Sequence, residues 1–319
     1  MRTFALLGAL LALAAALSAA PVPLVFDTDM GNDIDDALAL AMIHALESKG
    51  EARLIAVTIT KDNPSAAAYI DAVNTFYGRP AIPVGVVRRG KTPEPSRMLT
   101  VPLERKRSDG APAYPRDLDG ASAPEAVDLL RQVLEKQPDR SVVFVQVGFS
   151  TNLARLLETA PELVRRKARL LSIMAGAFPS GKPEFNVRVD IPAARTLYER
   201  WPTDVVFSGF EIGSSIKYPA ASIERDFAYA DHHPIADAYR AYQKMPYDRP
   251  TWDLTSVLYG VRPDAGYFSL SPSGTVTVAG DGRTVFTPGG GRHRYLTVDD
   301  QQRAKALAAM IELASRAPQ

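Results

Sequence analysis

The 319-residue chain contains no cysteine, which excludes disulfide frameworks, thiolate metal sites, cysteine nucleophiles and a lipid-attachment cysteine. Only four histidines occur, too few to argue for zinc held by imidazoles. An excess of one charge is missing too, since 37 basic residues face 36 acidic ones. No Lys/Arg block with interleaved aromatics is present, so nothing points to nucleic acid or another polyanion as partner. Disorder is excluded in its turn by a hydrophobic content of 46%.

The one long apolar run is at the start. "FALLGALLALAAALSAA" follows Arg2 and ends in small residues, the pattern of a secretory signal peptide. Ala16 to Ser18 supply a small-x-small cleavage site, whereas a cut after Ala20 would leave Pro21 behind the scissile bond. Residues 1–18 are therefore expected to be removed, leaving 19–319 as a single domain that is periplasmic or secreted and free of membrane. The run is short for a membrane anchor.

Along the mature chain, strand-like runs alternate with helical patterns. "PLVFDTD", "ARLIAVTIT", "IPVGVV", "SVVFVQVG", "LLSIMAG" and "TDVVFSG" read as strands, several of them near-continuously apolar. Such runs suit parallel strands covered on both faces, and the alternation with helices predicts an α/β fold with a mainly parallel central sheet flanked by helices. Residues 88–122, rich in Pro, Gly and charge, read as a long loop. "GYFSLSPSGTVTVAGDGRTVFTP" alternates around "GDG" and predicts a C-terminal β-hairpin appendage, followed by a last helix in "DDQQRAKALAAMIELASRA".

In parallel α/β sheets the working site lies beyond the carboxyl ends of the strands. There stands "VFDTDMGNDIDDALAL", with five aspartates between Asp27 and Asp36. Close carboxylates repel one another unless a cation sits among them, and an all-oxygen set suits Ca²⁺ or Mg²⁺. Capping the following helix accounts for one or two acids, not five. An EF-hand is excluded, because the glycine falls one position early and no glutamate closes the loop.

The motif resembles the aspartate signature of the calcium-dependent, inosine-uridine-preferring nucleoside hydrolases. The likeness continues in order through "AVTITKDN", "GFSTNLA", "EFNVRVDIPAA" and "TWDLTSVLYGV", over roughly residues 22 to 262. It implies hydrolysis of N-ribosyl bonds with Ca²⁺ held by Asp29, Asp36, Asp253 and the carbonyl of Thr151. Asp29 would also orient and deprotonate the attacking water. Asp35, Asn63, Glu184 and Asn186 would hold the sugar. The short form of the signature lacks two of the residues between Asp29 and Asp35, which leaves the roles of Asp33, Asp35 and Asp36 open among themselves. Many relatives carry a histidine before the metal-binding aspartate as acid for the departing base. Trp252 stands there instead, as in a purine-specific branch, so stacking and a preference for purine ribosides are expected.

His232 and His233, at the start of a helix in "YADHHPIADAY", are then the candidate proton donors. His44 reads as structural and His293 as a surface residue, while Tyr229, Tyr239 and Tyr242 suit packing as well as substrate contact. An aspartate-nucleophile phosphatase is disfavoured, because Met30-Gly31 follow where that chemistry expects Thr or Val. The remaining alternative is an exported calcium-dependent binding protein for ribosides or polyols without catalysis. A homo-oligomer is compatible with either reading.

Overall fold

The computed structural model describes residues 20–318. The expected leader, residues 1–18, lies outside them. In chain order the first half contains β1 (Val22–Thr28), α1 (Asp35–Ser48), β2 (Ala52–Lys61), α2 (Pro64–Phe76), β3 (Val84–Lys91), α3 (Arg97–Glu104), α4 (Ala126–Glu135) and β4 (Val142–Gln146). It continues with α5 (Thr151–Thr159), α6 (Pro161–Lys167), β5 (Ala168–Met174), α7 (Phe185–Val189), α8 (Ile191–Arg200), β6 (Asp204–Ser208) and α9 (Phe210–Ser215). Then follow β7 (Lys217–Tyr218), α10 (Ala220–Arg225), α11 (Pro234–Tyr242), β8 (Arg249–Pro250) and α12 (Trp252–Val261). The chain closes with β9 (Ser269–Leu270), β10 (Gly274–Val278), β11 (Thr284–Pro288), β12 (His293–Thr297) and α13 (Asp300–Ala314).

The main sheet has the order β11-β10-β12-β6-β5-β4-β1-β2-β3, parallel from β12 to β3. All six strands expected from the sequence are in it. From β1 the chain moves outward through β2 and β3, then crosses back to place β4 on the other side of β1. The reversal therefore lies between β1 and β4, and it is at such a switch point that the strand ends diverge and leave a crevice.

Burial explains the strand runs. From Leu24 through Thr28 every residue of β1 is buried, as are all five residues of β4. α1 is buried from Asp35 to Leu46, so its apolar surface runs all the way round and it acts as a core helix rather than a surface one. α2 begins with an Asn63 cap followed by Pro64, and α13 with an Asp299/Gln302 capping box.

Two expectations need correction. The 88–122 segment is not a loose loop: β3 runs on to Lys91, and α3 buries Met98 and Leu99. Tyr114 is buried as well, and Asp71 accepts the backbone N–H groups of Asp117 (2.9 Å) and Leu118 (3.1 Å). The C-terminal hairpin β10–β11 is present, but it is tied into the main sheet through β12, a strand the sequence reading did not foresee. His293 lies in that strand and is buried, accepting the Val276 N–H at 2.8 Å, so it is not a surface residue.

Candidate active site

The turn after β1 lifts Asp29 above the sheet, and α1 starts at Asp35, so one short loop brings Asp29, Asp33, Asp35 and Asp36 to the crevice. Gly31 makes the loop possible: its φ is +110°, and a Cβ there would stand 2.5 Å from Leu99 Cδ1. Gly148, just beyond β4, lets the neighbouring strand end approach, since its Cβ would lie 2.6 Å from the Asp29 nitrogen. Asp27 points the other way. It is fully buried and accepts from Thr58 (2.6 Å) and Asn152 (2.9 Å), which makes it a strut under the loop.

A cavity of about 280 Å³ opens at the reversal point. Its floor carries Asp29, Asp33, Asp35, Asp36, Asp253, Glu184 and Asn186, and its wall carries Val147, Met174, Phe185, Phe210 and Trp252. Seven of the eleven residues named from the sequence thus meet in one place: Asp29, Asp35, Asp36, Glu184, Asn186, Trp252 and Asp253. Phe185 and Phe210 stay substantially exposed, which leaves aromatic surface available at the rim. Trp252 stacks on Phe210 with ring centroids 5.3 Å apart, and its Nε1–H donates to the Phe210 carbonyl at 2.9 Å.

The floor is electrostatically unsettled. Burial first, then the Asn32 and backbone hydrogen bonds against it and repulsion from Asp35, leave Asp29 raised to about 6. Asp36 and Asp253 are raised well above the ordinary carboxylate range, by burial and then by the neighbouring aspartates. Glu184 is pushed by burial up to about 7, although its two oxygens accept three backbone N–H groups, those of Asn186 and Val187 at the start of α7 and that of Gly176 after β5. Asn186 donates its amide to the carbonyls of Val147 (2.7 Å) and Met174 (3.2 Å), so its Oδ1 is the free end.

Positive groups are few: among the described residues Arg188 lines the cavity without an ion pair to its aspartates, and Lys61 and Arg249 stand by the acids. Lys61 donates to Asn32 Oδ1 (2.9 Å), and Asn32 in turn donates to Asp29 Oδ2 (2.7 Å). Arg249, which the sequence reading missed, pairs with Asp33 and Asp35. The second oxygen of Asp35 accepts the Asp253 N–H at 3.2 Å. Asp33 and Asp35 are thereby paired, whereas the Asp253 carboxylate accepts no hydrogen bond among the described residues.

Four assigned residues stand elsewhere. Asn63 accepts the Ser65 N–H (3.0 Å) and donates to the carbonyls of Pro93 and Glu94, so its side chain is spent on capping α2 and holding the following segment. Thr151 is the first residue of α5; its hydroxyl donates to Asp190 at 2.6 Å, and it does not line the cavity. His233 is buried as the cap of α11, accepting the Ile235 N–H, with Nε2 2.6 Å from the Tyr229 hydroxyl. Burial drives its pKa down to about 3, so at neutral pH the ring is uncharged and its remaining N–H faces the Tyr229 hydroxyl. His232 does not line the cavity either. The structure places neither histidine at the cavity, so the proton-donor role expected of them finds no support in its geometry. Phe210 was findable, since it follows the end of β6. Arg249 was signalled only by the need of five acids for a cation.

An acid floor facing an aromatic wall, at the reversal point of a parallel sheet, has the chemistry to hold a cation, to accept hydrogen bonds from hydroxyl groups and to stack on a flat ring. Comparison with known proteins places the chain more closely. Residues 24–313 match the family described as inosine-uridine preferring nucleoside hydrolase, and the chain belongs to that family. It is 31% identical over 261 residues to the pyrimidine-specific ribonucleoside hydrolase RihA of Enterobacter sp. (strain 638), covering 76% of this chain and 80% of that one. The match to the protein of the same name from Salmonella agona (strain SL483) is 30% over 214 residues, 64% of this chain and 65% of that one. In fold it is similar to the solved plant nucleoside hydrolase PpNRh1, with a TM-score of 0.71 at 22% identity over 92% of this chain and 99% of that one.

Proposed function

We propose that this protein hydrolyses the N-ribosyl bond of ribonucleosides, purine ribosides foremost, with calcium bound at the acid floor. The observation that carries the reading is the meeting of Asp29, Asp35, Asp36 and Asp253 with Phe185, Phe210 and Trp252 in one cavity. The metal fits in kind. Every donor is an oxygen, and Asp29, Asp36 and Asp253 are carboxylates raised by burial and mutual repulsion. As they stand, no three acidic or imidazole side chains among the described residues form a closed chelate, so binding draws them together.

Asp36 and Asp253 would hold the cation, with Asp29 between it and the attacking water. A hard cation supplies charge that acidifies water and orients vicinal hydroxyls. Asp29 takes the proton from the water. Asp35, fixed by Arg249 and the Asp253 N–H, accepts a sugar hydroxyl, and the Asn186 Oδ1 accepts another. Carboxylates around the sugar favour the positive charge that grows as the C–N bond breaks. The base leaves along the aromatic wall. No imidazole lines the cavity, so its proton comes from solvent at the mouth. The wall offers flat aromatic area at Phe185, Phe210 and Trp252 beside the Arg188 guanidinium, and that area for stacking is the support for the larger purine.

Free ribose released from inosine, adenosine, uridine and cytidine decides the matter. Inosine is expected to turn over fastest, to stop on chelation and to recover with calcium. The 2′-deoxy analogue should be at least ~100-fold poorer in kcat/KM, because the groups that met the hydroxyl are left unpaired. Trp252→Ala should depress inosine turnover far more than calcium affinity. Riboside binding without ribose release returns the binding-protein alternative, and uridine cleaved as well as inosine removes the purine preference. Export is proposed with it; soluble protein with Met1 intact, seen by mass spectrometry, speaks against export.

A further inference from the structure

Five aspartates and Glu184 in one cavity are more than a single divalent cation neutralises, and the molecule supplies a second positive charge of its own beside the aspartates. Arg249 is 9% exposed and lies in β8, just ahead of α12. Its Nε donates to Asp35 Oδ1 at 3.0 Å, and its Nη2 donates to the same oxygen at 2.9 Å and to Asp33 Oδ1. One nitrogen thus sits between oxygens of two different carboxylates, where a second metal ion bridging Asp33 and Asp35 would otherwise sit. The group is locked in place: its Cζ stands 5.0 Å from the Trp252 ring centroid and 5.2 Å from that of Tyr242. Nη1 points to the Tyr242 hydroxyl at 3.4 Å. No other basic side chain makes an ion pair with any of the cavity's aspartates among the described residues.

The geometry points to Arg249 as a built-in second cation: a positioning residue that takes Asp33 and Asp35 out of metal ligation and keeps the site to one divalent ion. The inference rests on the metal reading given above and adds a division of labour to it. Asp29, Asp36 and Asp253 are left for the metal, and Asp35 is held as an acceptor for the sugar. A guanidinium suits the task better than an ammonium, because its planar fork reaches two carboxylates at once and does not give up its proton.

The deciding measurement is the number of calcium ions bound per chain, by calorimetry and equilibrium dialysis, which does not depend on turnover. Wild type is expected to bind one ion. Arg249→Met, which keeps length but removes charge, should bind two, the second between Asp33 and Asp35. Arg249→Lys should return to one ion while raising KM for inosine, because a point charge holds Asp35 less well. Asp33→Asn covers the case in which Arg249→Met does not fold. Since Asp33 is committed to Arg249, that variant should keep its calcium affinity within ~3-fold, the range of an unshared contact. A folded Arg249→Met that binds one ion, a wild type that binds two, or a tenfold loss of calcium affinity in Asp33→Asn overturns the inference. Wild type that binds no calcium removes the metal reading itself, a different failure from one ion in both proteins.

Discussion

Asp237 and Asp253 lie sixteen residues apart and are equally buried, each 5% exposed, yet their surroundings are opposite. Asp237, on α11, accepts from Arg105 at 2.7 Å and from the Tyr114 hydroxyl, with Arg240 3.7 Å away. Asp253, on α12, has Asp35, Asp36, Asp33 and Asp29 as its charged neighbours, all of which raise it. The first carboxylate is a rivet that fastens the 88–122 segment to α11. The second is held in a repulsive nest by the fold around it. A buried charge says little about function until its partners are counted. Where they are internal and of opposite sign the group holds structure, and where they are of like sign the missing partner comes from outside.

The sharpest break between the two comes from removing each charge in turn. Asp253→Asn should weaken calcium binding at least ~100-fold by calorimetry, a larger loss than a rim ligand would give. Without metal the variant should be no less stable than wild type, because a buried repulsive charge is gone. Asp237→Asn should behave in the reverse way. It leaves Arg105 and Tyr114 facing a neutral amide, and about 3 kcal/mol of stability should be lost in urea melts while calcium affinity is kept. Asp253→Asn melting well below wild type in chelator, or Asp237→Asn losing calcium, would undo the distinction.

Acidity gives a second handle on the nest. Burial raises Asp29 to about 6, and burial with the neighbouring aspartates raises Asp36 and Asp253 well above the usual carboxylate range, so all three hold protons more tightly than free carboxylates do. Metal needs the deprotonated forms, so binding releases protons and affinity must fall as pH falls. Below pH 6 the Asp29 proton alone should make calcium affinity fall by up to about tenfold per unit, and Asp36 and Asp253, raised as well, should steepen the fall. A flat profile over that window would mean that these carboxylates are not the ligands.

Much of this was legible in the sequence, and the reason is geometric. Parallel strands buried on both faces leave apolar runs, and the candidates lie where those runs stop, which is how Asp29, Asp35, Asp36, Glu184 and Asn186 came into view, whereas Asp253 came only from the family likeness of "TWDLTSVLYGV". What stayed hidden depends on contacts between distant segments. Arg249 lies 214 positions from Asp35, and nothing in "YDRPTWD" says which way its guanidinium turns. Asn63 stood at a strand end like the residues that line the cavity, but Pro64 made it a helix cap, and the cap took its side chain. Tyr114 and Leu99 sat in a stretch whose prolines and charges suggested a loop, while their burial depends on α11 and the Gly31 turn. His233 followed the same pattern as Asn63, being taken up as the cap of the helix it opens.

That histidine supplies the mildest test of the rule that internally partnered groups hold structure. Its ring packs against Phe76 and Phe227, with centroids 4.6 and 4.8 Å away, and both nitrogens have partners in Ile235 and Tyr229. Burial, then Arg240, lowers its pKa from 6.5 to about 3. Because the folded value lies below the unfolded one, its contribution to stability is complete above pH 6.5 and declines as pH falls toward 3. His233→Asn keeps an acceptor for the Ile235 N–H but removes the ring and the titration. At pH 8 the variant should be about 1–2 kcal/mol less stable than wild type, the cost of the lost ring packing. By pH 5 wild type has lost about 2 kcal/mol that the variant never had to lose, so the gap should close or change sign. Turnover of inosine should stay within ~3-fold of wild type at pH 7, since the ring lies outside the cavity. A stability gap that does not change with pH removes the buried neutral histidine from the account, and a large fall in turnover at full stability would return His233 to the active site.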